Sequence, residues 1–218
     1  MSTRPLGILL VLCVALGGAF AHGADRPEVT EDGLVRVPSS RQVGVYRLPD
    51  IPFTQYHRIT LSGITVSFDP GWLRTNKNLN ESDRERIRAD LVRAFRDELT
   101  RELVERGGYA LTDEVSTDVL RVQASIQDLD ISAPNAGLTP GTRSFVRTTG
   151  SMTLVIELRD AASDVVVARI IDHEHARELH DLQSVNQTIN EADARVAFAN
   201  AARHTREALN VAKTQRPK

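Results

Sequence analysis

Thr148-Thr-Gly-Ser-Met152-Thr-Leu-Val-Ile156-Glu-Leu158-Arg-Asp160, then Ala161-Ala-Ser163, then Asp164-Val-Val-Val-Ala168-Arg-Ile170-Ile-Asp172-His-Glu174, is the stretch that decides the fold. Met152, Leu154, Ile156 and Leu158 alternate with Ser151, Thr153, Val155, Glu157 and Arg159, the period of a half-buried strand. A polar interruption at 160–164 and a second apolar run from Val165 to Ile171 complete a hairpin signal. With Asp160 facing Asp164, Leu158 lies opposite Val166, Ile156 opposite Ala168 and Leu154 opposite Ile170. One face of the hairpin is then aliphatic and requires a cover.

The cover is a helix upstream. Ser82-x-x-Glu85 has the form of a capping box, and Ile87, Leu91, Ala94, Phe95, Leu99 and Leu103 recur on one helical stripe before Gly107-Gly108 stops it. Before this helix, Arg58 to Phe68 reads as a strand. Ile59 and Leu61 share one parity and Ile64, Val66 and Phe68 the other, so a bulge at Ser62-Gly63 is expected to return all five to one face. Asp69-Pro-Gly71 ends the strand, and a loop runs from Trp72 to Asn80. Tyr109–Thr112 reads as a short edge strand. Val119–Ile126 reads as a longer one, with Leu129 and Ile131 displaced by a break near Gln127-Asp128. A second capping box, Thr188-x-x-Glu191, opens an alanine-rich helix carrying Ala192, Val196, Ala199, Ala202 and Leu209.

The expected architecture is α+β: a single, mainly antiparallel sheet with two helices packed on one face, in the order β-α-β-β-β-β-α, after an extended amino-terminal arm. Residues 57–212 form the domain, 22–56 the proline-punctuated arm and 213–218 a frayed tail. Residues 1–21 carry Arg4, an apolar run and Ala19-Phe-Ala21, the three parts of a cleavable signal peptide. Export to the periplasm follows as an expectation, with no integral membrane segment after cleavage. Cys13, the single cysteine, lies inside that leader with Leu12 before it and apolar sequence after it, so neither a lipid anchor nor a disulfide is expected. Removing Arg4 from the 27 basic residues leaves 26 against 29 acidic, with no basic block to suggest nucleic acid. Aromatic residues make up 5%, too few for a base-stacking platform.

Chemistry is sparse. His173 and His175 are two apart on a strand and could share a metal, with His180 beyond, but His173-Glu-His175-Ala-Arg-Glu-Leu-His180 fits neither common zinc-protease spacing. Asp128 and Asp130 lack the glycine and the terminal glutamate of a calcium loop, and Glu157 with Asp172 is a carboxylate pair whose placement the sequence leaves open. No nucleophile elbow or phosphate loop is present. No catalytic residue, metal ligand or cofactor is therefore assigned. The two long loops, Trp72 to Asn80 and Ser132 to Arg143, remain, since long loops are often functional. Trp72 and Arg74 in the first and Arg143 and Arg147 beside the second are the candidate interaction residues, with burial of Trp72 over the sheet edge as the alternative.

Asp32-Gly-Leu-Val-Arg-Val37, Val66-Ser-Phe68 with Trp72, the run from Arg101 to Asp113, the run from Val119 to Asp130, Gly150 to Asp160, and Ala168-Arg-Ile-Ile-Asp172 together resemble one proteobacterial envelope family catalogued only as a domain of unknown function. The resemblance spans roughly Glu31 to Leu209, and its motifs are structural. Members are often lipoproteins, and this chain departs from them in lacking an anchoring cysteine and in having Ser163-Asp164 where relatives show Thr-Gly. The resemblance implies an envelope location and no activity. The expected function is a non-enzymatic interaction or assembly module with an envelope protein partner. A small-ligand or lipid carrier is the alternative, and a metal-dependent hydrolase a more remote one.

Overall fold

The computed structural model describes residues 28–39, 43–77, 79–130, 151–175 and 187–214, with backbone alone for 175 and 187–193. The leader, Arg143, Arg147, His180 and the tail beyond Thr214 lie outside the described residues.

The hairpin forms as expected in kind. Strand β6 (Ser151–Asp160) pairs antiparallel with β7 (Val166–His175), but the partners of Leu158 and Ile156 are Ala168 and Ile170, two residues on from the expected register. The loop explains the shift. Asp160 accepts from the amides of Ala162 and Ser163, Asp164 adopts a left-handed φ of 61°, and Asp160 N–H bonds Val165 carbonyl. The turn is thus wider than a pairing of Asp160 with Asp164 allows, and Val167 bulges against Leu158 and Arg159. A shift of two preserves the faces, because side chains alternate with period two.

Around this hairpin the sheet has seven strands in the order β1-β2-β7-β6-β5-β3-β4. The expected arm supplies β1 (Val35–Val37) and β2 (Val43–Arg47), with β2 antiparallel to β7. On the other side, β5 (Val119–Asp130) pairs antiparallel with β6, whereas β3 (Arg58–Phe68) runs parallel to both β5 and the short β4 (Ala110–Leu111). The sheet is mostly antiparallel, as expected, with parallel pairs at β3, because a helix carries the chain from β3 back to the same end of the sheet. Both expected irregularities are present. Leu61 pairs with Val122 and Ile64 with Ala124, leaving Ser62-Gly63 as the bulge, and Asp128 takes a φ of 51° where β5 breaks register.

Among the described residues three helices pack with the sheet, one more than expected. The supposed loop after β3 begins with α1 (Pro70–Thr75), whose amino end Asp69 caps by accepting from the Trp72 amide at 2.8 Å. Helix α2 (Glu81–Leu99) starts before Ser82, and Asn80 is its cap, accepting from the Asp83 amide. Its last turns widen into a π-type stretch, Thr100–Glu105. Gly107 follows where an added Cβ would sit 2.5 Å from the Leu103 carbonyl oxygen, and Gly108 has a φ of 73°. Gly107→Ala is expected to cost about 1–3 kcal/mol by forcing the backbone apart, measurable as a lowered urea midpoint with unchanged slope.

Helix α3 (Gln187–Thr214) turns Ala194, Ala197, Phe198, Ala201, Ala202, Thr205, Leu209 and Ala212 inward. The stripe is rotated from the expected one, and Val196 is 61% exposed, because Phe198 takes the inward position and stacks on Phe95 of α2 at 4.7 Å. Ile59, Leu120, Val122, Ile126, Leu154, Ile156, Leu158 and Ile170 form the sheet side of this core. Each large residue so covered contributes roughly 1.5–3 kcal/mol before ordering costs.

Candidate functional site

The opposite, outer face of the sheet is polar, as the alternation requires. Arg169 bonds Glu157 with Nε at 2.9 Å and Asp32 with a terminal nitrogen at 2.7 Å. Arg159 reaches Glu157 at 2.7 Å, and Arg121 reaches Asp164 at 2.6 Å. Asp32 belongs to the turn before β1, so this ladder fastens the arm to the sheet, with Leu34 and Tyr46 fully buried beside it. Burial raises the Asp32 carboxyl, but bonds from Thr30 and Arg169 outweigh it and hold the group below the ordinary aspartate value. Every charge in the ladder has an opposite partner, which marks it as a fastening.

His173 lies on this outer face, exposed, with its Nδ1 3.1 Å from the Thr153 hydroxyl, and His175 ends β7. Among the described residues no group of three or more His, Cys, Asp or Glu could hold a metal ion. Glu157 and Asp172 do not form a carboxylate pair: Glu157 faces outward to Arg169, and Asp172 faces the helices. Trp72 is 4% exposed and stacks on Phe68 at 4.7 Å with the rings 8° apart. Of the two readings of Trp72, burial is the one seen: it is a core side chain at the end of β3, its backbone held by the Asp69 cap, and not an exposed interface tryptophan. Arg74 remains exposed on α1.

The cavity lies elsewhere. Helix α3 covers β6 and β7 but leaves the helix-side face of β2 and β1 open, and a cleft of about 440 Å³ fills that gap. Its floor is Leu158, Ala168, Phe53 and Val43; its α3 wall is Ala208, Leu209, Val211 and Ala212. Val37, Pro38 and Val45 form the arm wall, and Ser39, Arg47, His204 and Glu207 add the polar groups. The volume is within the range of small-molecule sites, about 300–1,000 Å³, and so is the mix of apolar walls with few polar groups.

Two of those polar groups are tied into the fold. Ser39 hydroxyl donates to the Val43 carbonyl at 2.7 Å, and Glu207 lies 4.0 Å from Arg203. His204 is different, because its Nδ1 sits 2.9 Å from Asp172 Oδ2, a carboxylate 2% exposed at the end of the aliphatic row Ala168-x-Ile170 on β7. An acid on an apolar face must be paired, so Asp172 was a visible signal that a partner would come from a covering element. The expected arm concealed the cleft, since a lead-in that joins the sheet also makes one wall of a cavity.

Comparison with known proteins adds a family. The family model described as "Protein of unknown function (DUF3313)" matches residues 29–205. No curated protein matches the chain. Among solved structures, two PelC dodecamers from Paraburkholderia phytofirmans are similar at 9% and 10% identity. They cover 74% and 73% of this chain and 95% and 96% of theirs, with TM-scores of 0.41 and 0.42. A neuraminyllactose-binding hemagglutinin homolog from Helicobacter pylori is 12% identical, covering 74% of this chain and 92% of that one at a TM-score of 0.37.

Proposed function

Since the chain belongs to the DUF3313 family of proteins of unknown function, and no activity comes with that membership, we propose from the cleft alone that it is a non-catalytic binding module for a ligand with an apolar chain. The observation that carries this reading is an apolar cavity left between α3 and the arm strands, with buried side chains for a floor. Arg4, the apolar run and Ala19-Phe-Ala21 support, in the same proposal, export to the periplasm. Assembly with an envelope protein by strand addition is less well supported. Strand β4 covers only Arg58 and Ile59, but the Ser62-Gly63 bulge and the Arg96 guanidinium on the Leu61 carbonyl blunt the remaining edge of β3.

The test uses the environment-sensitive dye N-phenyl-1-naphthylamine and the variant Ala208→Phe, which places a ring in the cleft from a half-buried position on α3. Saturable fluorescence enhancement by the native protein, lost in a variant with an unchanged circular-dichroism spectrum, is expected. Absence of saturable binding, or equal binding by the variant, would overturn the reading. Mass spectrometry of the mature amino terminus tests export, with cleavage after Ala21 as the expected result.

A further inference from the structure

We infer that the ligand of the cleft ends in a hydroxyl group and that His204 receives it; this rests on the cleft being a ligand site. A carboxylate only accepts hydrogen bonds, so the Asp172 oxygen 2.9 Å from His204 Nδ1 fixes the ring hydrogen on that nitrogen. In the neutral imidazole the second nitrogen, Nε2, then carries a lone pair and can only accept. Asp172 is buried to 3% of its side chain, whereas His204, at 27%, reaches the cleft that it helps to line. The ring therefore relays the demand of a buried acid to the cavity, as an acceptor in a fixed orientation.

Two other polar groups of the cleft have the same sense. Glu207 accepts only, and the Ser39 hydroxyl has spent its hydrogen on the Val43 carbonyl. Arg47 is a donor, but it is already engaged within the protein. At the His204 end, a ligand that brings a hydrogen is matched by Nε2, whereas one that brings a carboxylate meets Glu207 and, behind the ring, Asp172. The chemical class is a single-chain amphiphile with a hydroxyl head, such as a long-chain alcohol or a monoacylglycerol.

Three probes of equal chain length separate the possibilities by calorimetry. They are 1-decanol, its methyl ether and decanoate. Native protein is expected to bind decanol about tenfold more tightly than the ether, the worth of one hydrogen bond in a desolvated site, and to bind decanoate more weakly still. His204→Phe keeps the apolar wall and should level decanol with the ether while both still bind. Asp172→Asn can donate from its amide to Nδ1 and move the ring hydrogen to Nε2, which hydroxyl, ether and carboxylate oxygens can all accept, so the preference for decanol over the ether should shrink and decanoate should gain. Should that variant fail to fold, His204→Phe carries the test alone. Equal binding of all three probes by the native protein would overturn the hydroxyl assignment and leave the cleft standing; no binding of any probe would overturn both.

Discussion

Phe198→Ala is expected to lower stability by about 3–5 kcal/mol. Phe198 is fully buried and lies on Phe95 with ring centres 4.7 Å apart and planes 19° apart. A stacked aromatic pair adds roughly 0.5–1.5 kcal/mol beyond the area it buries. The neighbours on α3 are Ala194, Ala197, Ala201 and Ala202, whose methyl groups cannot extend into the vacated volume. The void would persist, which is the condition under which truncation costs most. Equilibrium urea unfolding measures it. A loss below about 1 kcal/mol would mean that α2 and α3 close on one another without the stack.

Arg206→Met is expected to cost about 3 kcal/mol and to flatten the acid limb of the stability profile. Glu102, in the π-type end of α2, is 2% exposed and is held by Arg106 and, at 2.9 Å, by Arg206 Nε of α3. Burial pushes its carboxyl up, but the two guanidinium groups outweigh this and hold it below the ordinary glutamate value of 4.5. A carboxylate depressed in the folded state stabilises fully above its unfolded value, and that contribution disappears as pH falls through the folded value. Native protein should therefore lose stability on going from about pH 6 to about pH 3, and the variant should lose less. Arg106 remains in the variant, and it is exposed, so the cost stays at the low end for a broken buried pair. An unchanged acid limb would show that Glu102 does not titrate with unfolding.

Much of the sheet was legible because period-two alternation survives any even shift in register. The β6–β7 faces, the Ser62-Gly63 bulge and the break at Asp128 all followed from parity. Turn chemistry was harder to read. A left-handed Asp164 is a conformation that aspartate tolerates but does not announce, so the hairpin register came out two residues short. Caps misled for a related reason, since Asn80 and Ser82 both suit the end of α2 and the structure uses the earlier one. The parallel pairing of β3 and the docking of the arm depend on contacts distant in sequence, which no local pattern encodes. The cleft shared that fate, since its walls come from the arm and α3. One part of it was readable: Asp172 continues the aliphatic row of β7, and a buried acid calls for a partner. His204 was the answer, hidden among alanines and threonine on a helix read only for its stripe.

The two walls of the cleft are the first and last strands and helix of the described chain. Asp32 and Arg169, which fasten the arm, stand 137 positions apart, and α3 follows both. During synthesis from the amino end, β1 and β2 emerge long before β7 exists to receive them, and although they pair with each other, the β7-facing edge of β2 waits unpaired. Pro38, Arg36 and Arg47 punctuate that wait with residues that discourage self-association. The cleft is thus completed only when α3 closes on the arm, and a ligand held there would report that these two distant segments have met.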